Sequence, residues 1–173
     1  MDETIEAGEI EAGLSDPLTH RIVAFLHEIG LSARAGTIPE ATVLPGIVVE
    51  HGGLMFDPEK LRFPCDLLHE AGHLAVVSPE RRAAVHRDVG SDPAEEMMAI
   101  AWSYAAAIHL GIDPALLFHH EYKGGGPAIL AAFAGGSGFG VPMLQWVGLT
   151  YDAEEARAQG AKPYPHMRRW LRE

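Results

Sequence analysis

Residues 67–77 read Leu-Leu-His-Glu-Ala-Gly-His-Leu-Ala-Val-Val and contain the pattern His-Glu-x-x-His at His69, Glu70 and His73. The flanking residues are apolar and include no proline, which predicts a buried helix. On a helix, side chains four positions apart share one face with Cβ atoms about 5–6 Å apart. Both imidazoles can therefore reach one Zn²⁺ at about 2.0–2.1 Å. Glu70 points away from that line, which favours a role as the general base that holds the metal-bound water.

A catalytic zinc site needs a third protein ligand and an open position for water. Pro79 stands where the metzincin pattern has its third histidine, which excludes that class. The best candidates are Glu95 and Glu96, at the start of the next strongly predicted helix. With Asp92 as N-cap, Glu95 falls at the third helical position, where it is expected to complete a capping box. Glu96 is therefore favoured as the third ligand over Glu95. Weaker candidates between the two helices are His86 and Asp88.

The order of the motifs extends this interpretation. A predicted β-hairpin is followed by residues 62–73, with an arginine and apolar residues before His-Glu-x-x-His, and then by residues 96–101, which read Glu-Met-Met-Ala-Ile-Ala. This order resembles the ImmA/IrrE-type gluzincin metallopeptidases over residues 15–110. Their second motif is a Glu-Ala-Asn-x-Phe-Ala-like helix, and here Met98 and Ile100 stand where it has Asn and Phe. The resemblance implies a zincin-like fold and zinc-dependent peptide hydrolysis, often as regulated cleavage of a repressor.

The pattern along the chain predicts an α+β protein. A short antiparallel β-sheet, formed by a hairpin at 47–56 with its turn at 51–53, is expected to pack on a helical core that contains the His-Glu-x-x-His helix. Residues 1–14 are predicted to be a flexible acidic tail, and residues 15–173 a single zincin-like domain. The predicted helices cover residues 16–30, 65–77, 92–110 and 113–122, two short stretches of 124–151, and one or two short stretches of 152–172.

Composition excludes several classes of partner. The 173 residues carry 13 Lys and Arg against 24 Asp and Glu, a net charge of −11. Such an acidic surface argues against nucleic-acid binding and against anionic membranes, because both require excess positive charge. No secretory signal is predicted, so a cytoplasmic protein is expected. Residues 124–151 are uncharged, but glycines and Pro142 interrupt them, which favours two short helices over a membrane span.

Two functions fit this pattern. The first is a small zinc metallopeptidase, in which His69, His73 and Glu96 bind Zn²⁺ and Glu70 activates the zinc-bound water to cleave a protein or peptide substrate. The second is a non-catalytic zinc-binding regulatory protein of the same fold, whose site is closed by four protein ligands. Cys65, the one cysteine, is the candidate for a fourth ligand, although packing as a small apolar side chain is favoured for it.

Four other polar residues have two interpretations each. One of His119, His120 and Tyr122 is a candidate donor to the oxyanion that forms during hydrolysis, but a polar turn at a helix end is favoured. Asp66 either caps the His-Glu-x-x-His helix or orients a histidine, and capping is favoured.

Overall fold

The fold is α+β, as predicted. The computed structural model describes residues 16–136 and 138–173, so the predicted tail at 1–14 lies outside the described residues. The strands are β1 (Ala33–Ala35), β2 (Ile47–Glu50) and β3 (Gly53–Phe56). The helices are α1 (Pro17–Glu28), α2 (Asp66–Val76), α3 (Pro79–Ala84), α4 (Pro93–Leu110), α5 (Pro114–Leu117), α6 (Gly126–Ala134), α7 (Val141–Trp146) and α8 (Ala153–Gln159).

Asp-Pro pairs start the two long helices where the sequence predicted them. The Asp16 carboxylate accepts a hydrogen bond from the Thr19 backbone N–H, and the Asp92 carboxylate accepts one from the Ala94 N–H. A proline follows each cap at the first helical position, where it costs no hydrogen bond. Gly111 ends α4 in the left-handed region, with φ 63°.

The sheet differs from the prediction in one strand. The hairpin forms as expected, because β2 and β3 are antiparallel neighbours that pair Ile47 with Phe56 and Glu50 with Gly53. β1 adds to the other side of β3 in parallel, which gives the order β1-β3-β2 and a mixed sheet. The prediction of an antiparallel sheet therefore missed one strand, which pairs in parallel. β1 has three residues and is set by its long-range partner rather than by a pattern of its own.

The core lies between α2 and α4, which pack on each other closely at Gly72. A Cβ atom built on Gly72 would lie 2.7 Å from the Ala99 carbonyl oxygen and 3.1 Å from the Ala99 Cα. On α4, Ala99, Ala101 and Trp102 are fully buried. Because glycine lets the two backbones approach, the histidines of α2 come within reach of the first turn of α4.

We expect Gly72→Ala to destabilise the protein by about 1–3 kcal/mol, since the added methyl group overpacks the helix contact. In an open helix the same change would stabilise by about 0.5–1 kcal/mol, because alanine is the better helix former. Urea unfolding followed by circular dichroism measures the difference. A variant more stable than the wild type would contradict the close approach at Ala99.

Arg82 of α3 and the C-terminal segment together satisfy the free carbonyls at the end of α2. Arg82 Nε donates to the Leu74 carbonyl at 2.7 Å, and its Nη2 donates to the Arg172 carbonyl at 2.7 Å. The Arg172 backbone N–H donates to the Ala75 carbonyl at 2.9 Å. Since the last carbonyls of a helix have no partner within it, these contacts fix the end of α2.

After α4 the chain is less helical than predicted. α5 ends at Leu117, because Phe118 leaves the helical region with φ −92° and ψ 59°. Residues 118–123 instead turn towards α2. The uncharged stretch forms α6 and α7, as predicted, and one helix, α8, forms in 152–172. In the part of the chain that the structure describes, no helix is both long and apolar enough to cross a membrane.

Candidate metal centre

Two helices bring together three side chains of types that can bind a metal ion. α2 presents His69 and His73 with their Nε2 atoms 3.2 Å apart, and the first turn of α4 presents Glu96. The Glu96 carboxylate oxygens lie 3.2 Å from His73 Nε2 and 3.6 Å from His69 Nε2. Tetrahedral ligand atoms at the usual zinc distances lie about 3.3–3.4 Å from one another. The two imidazole nitrogens have this spacing, and the Glu96 carboxylate approaches one of them through each of its oxygens, Oε1 for His69 and Oε2 for His73. The three side chains are therefore close enough to share one metal ion.

Glu70 faces the same place without belonging to that triangle. One of its carboxylate oxygens lies within 4.8 Å of a ring nitrogen of each histidine. Its side chain is half-buried and lines a cleft beside the two histidines. Glu70 is thus close enough to contact a water molecule that occupies the open side of the site.

The structure separates Glu95 from Glu96. Glu95 is 8% exposed, and its carboxylate is held by the Arg81 guanidinium through both terminal nitrogens. The predicted capping box is wrong, because the Asp92 side chain bonds to the Ala94 N–H and Glu95 turns to Arg81. Glu96 is still the better candidate for the third ligand, because Glu95 has a partner on α3 and Glu96 faces the histidines.

Burial and hydrogen bonding together set the charges of the site. Loss of surrounding water, followed by the charge of His73, lowers the pKa of His69 to about 4, so this imidazole is neutral at pH 7. A hydrogen bond with His73 lowers the pKa of Glu96, so this carboxylate stays ionised. Burial raises the pKa of Glu70. A neutral imidazole and an ionised carboxylate are the forms that bind a metal ion.

A cleft of about 580 Å³ opens beside these residues. One wall is β2, an edge strand, with the preceding residues 40–44, and another is formed by residues 118–123. His69, His73, Glu70 and Glu96 all line it. Among the described residues that line the cleft, none lies in the uncharged stretch 124–151.

Several residues singled out in the sequence lie outside the triangle. Cys65 is 1% exposed within the core, where burial raises the pKa of its thiol to about 12, and it does not line the cleft that contains the histidines. His86 stacks on the exposed His51 ring, with 4.2 Å between ring centroids. Asp88 lines the cleft and accepts a hydrogen bond from the Gly90 N–H. His120 is exposed.

Two hydrogen bonds join residues 118–123 to α2. Tyr122 Oη lies 2.7 Å from His69 Nδ1, and His119 Nε2 lies 3.0 Å from Asp66 Oδ1. Asp66 therefore pairs with His119 rather than with His69 or His73. The favoured capping role is wrong, because Cys65 is the N-cap of α2 and no side chain caps that helix. Burial raises the pKa of Tyr122, so its side chain is a neutral phenol. The sequence marked both His119 and Tyr122 but predicted a polar turn.

Compared with known protein families, curated proteins and solved structures, the chain has no match. Its function is therefore inferred from the residues of the site.

Proposed function

We propose that the chain is a zinc metallopeptidase of the gluzincin type, related in kind to the ImmA/IrrE-like enzymes. The observation that carries the proposal is the close grouping of two imidazoles and a carboxylate beside Glu70 in one cleft. His69 Nε2 and His73 Nε2 lie 3.2 Å apart, Glu96 Oε2 lies 3.2 Å from His73 Nε2, and Glu96 Oε1 lies 3.6 Å from His69 Nε2. A pair of histidines alone, or a single carboxylate alone, would have an ordinary structural explanation. All four groups facing one cleft from two helices favour metal-dependent hydrolysis.

Zinc is the metal that this donor set suits best. Two imidazole nitrogens and one carboxylate oxygen form the ligand set of many catalytic zinc sites, which keep a fourth position open. A fourth protein ligand would close the site and favour the non-catalytic alternative, and Cys65 lies outside both the group of His69, Glu70 and His73 and the lining of the cleft. Zinc bound by such a set polarises a carbonyl group and lowers the pKa of water.

The chain's own residues perform the remaining steps. Glu70 accepts a proton from the attacking water as the oxygen–carbon bond forms at the peptide carbonyl. It then gives that proton to the amine nitrogen as the carbon–nitrogen bond breaks. Glu70 is thus unchanged after each cycle, and one water is consumed for each peptide bond.

A peptide is the substrate class that the cleft favours. β2 is an edge strand, and Ile47, Val48 and Val49 contribute to the cleft wall beside the histidines. Extended peptides bind to such edges through backbone hydrogen bonds. Part of this edge is already used, because the Val49 carbonyl accepts a hydrogen bond from the Arg87 N–H at 2.9 Å.

The proposal is tested by incubating the zinc-loaded protein with a mixture of unstructured peptides and identifying new termini by mass spectrometry. We expect cleavage that a chelator stops and added zinc restores. Stable zinc binding with no cleavage of any peptide would support the regulatory alternative and overturn the peptidase.

A further inference from the structure

Tyr122 is hydrogen-bonded to His69, a candidate metal ligand, at the ring nitrogen that points away from the site. Its hydroxyl oxygen lies 2.7 Å from His69 Nδ1, and its ring meets the imidazole edge-on with 5.4 Å between centroids. Tyr122 is 7% exposed. The contact links the His-Glu-x-x-His helix to a segment 53 residues further along the chain.

The direction of this hydrogen bond follows from the other ring nitrogen. His69 Nε2 faces His73 and Glu96, so Nε2 is the atom that presents a lone pair to a metal ion. A neutral imidazole with a free Nε2 lone pair carries its proton on Nδ1. With a metal ion on Nε2, that proton would be donated to the Tyr122 oxygen, since a phenol oxygen can accept a hydrogen bond. Tyr122 thus holds the ring orientation in which Nε2 faces the site.

We propose that Tyr122 is the positioning residue of the metal centre, which holds His69 in the ring orientation required for metal binding through Nε2. The inference rests on the metal site of the proposed function, but not on its hydrolytic activity. Metal-bound histidines commonly donate their second N–H to a carboxylate or a backbone carbonyl. Here a phenol takes that place, and it acts through His69 rather than on the substrate.

Neighbouring contacts hold Tyr122 in place independently of its hydroxyl group. His119 bonds to Asp66 at 3.0 Å and stacks on Phe63 with 3.7 Å between ring centroids. Glu121 pairs with Arg62 at 2.7 Å. Removing the hydroxyl group of Tyr122 should therefore leave residues 118–123 against α2 and free only His69.

The test is Tyr122→Phe, with zinc affinity measured by competition against a chromophoric chelator. We expect affinity to fall about 10–100-fold, as for other changes that remove the partner of a metal-bound histidine. The control is Tyr164→Phe, which removes a tyrosine hydrogen bond to the Ala101 carbonyl at 2.9 Å away from the site and should leave affinity unchanged. Urea unfolding of both metal-free variants shows whether each is folded.

Two results would overturn the inference. One is a folded Tyr122→Phe variant that binds zinc as tightly as the wild type. The other is a nitrogen NMR spectrum of the zinc-loaded wild type in which His69 binds metal through Nδ1, and this measurement serves even if the variant does not fold. A protein that binds zinc with the expected difference but cleaves nothing would refute the peptidase and leave the role of Tyr122 standing.

Discussion

Replacing Glu70 with glutamine should lower the rate of peptide hydrolysis by at least about 100-fold, since general-base catalysis contributes about 10²–10⁴-fold. The amide has the shape of the carboxylate but cannot accept the proton of water. Glu70 lies outside the triangle formed by His69, His73 and Glu96, so the variant should keep its metal.

The measurement is kcat/KM on the first peptide found to be cleaved, with zinc content determined on the same samples. The matched control is Glu154→Gln, an equally conservative change at an exposed position in the first turn of α8. Glu154→Gln should leave both the rate and the metal content unchanged. If Glu70→Gln kept wild-type activity with its zinc bound, the assigned mechanism would be wrong.

Glu96→Ala should weaken zinc binding by more than about 100-fold, because loss of a direct ligand exceeds the roughly 10–100-fold cost of losing an outer partner. Glu95→Ala is the comparison, one residue away on the same helix. Glu95 binds Arg81 rather than the histidines, so its loss should lower the stability of the fold and leave zinc affinity nearly unchanged.

Chelator competition measures the affinities, and urea unfolding measures the stabilities of the metal-free proteins. The two readouts should separate the glutamates, with affinity changed by one variant and stability by the other. Equal zinc affinity in Glu96→Ala and the wild type would remove Glu96 from the site. A large affinity loss in Glu95→Ala alone would assign the third ligand to Glu95.

Local signals were enough to predict much of the fold. Asp-Pro caps started α1 and α4 where the sequence placed them, because a capping carboxylate and a proline at the first turn are local requirements. The hairpin was predictable from two short apolar runs around His51 and Gly52, both of which adopt positive φ in the turn. The His-Glu-x-x-His helix followed from its apolar flanks.

Long-range contacts decided what the sequence did not reveal. β1 pairs directly with β3 in parallel, although β2 lies between them in the chain, and three residues carry too little pattern to predict that pairing. Glu96 was favoured on the argument that Glu95 forms a capping box, whereas Glu95 in fact pairs with Arg81. Local spacing in the sequence cannot reveal a salt bridge to another helix. Tyr122 was assigned to a turn since its partner lies on a distant helix.

The most direct test of the metal centre is the zinc content of the purified wild-type protein beside His73→Ala, measured by elemental mass spectrometry. Both the distances among His69, His73 and Glu96 and the neutral state of His69 predict about one zinc per chain, lost in the variant. No metal in either protein after zinc has been added back would contradict the site, and the proposed function and the role of Tyr122 would fall with it.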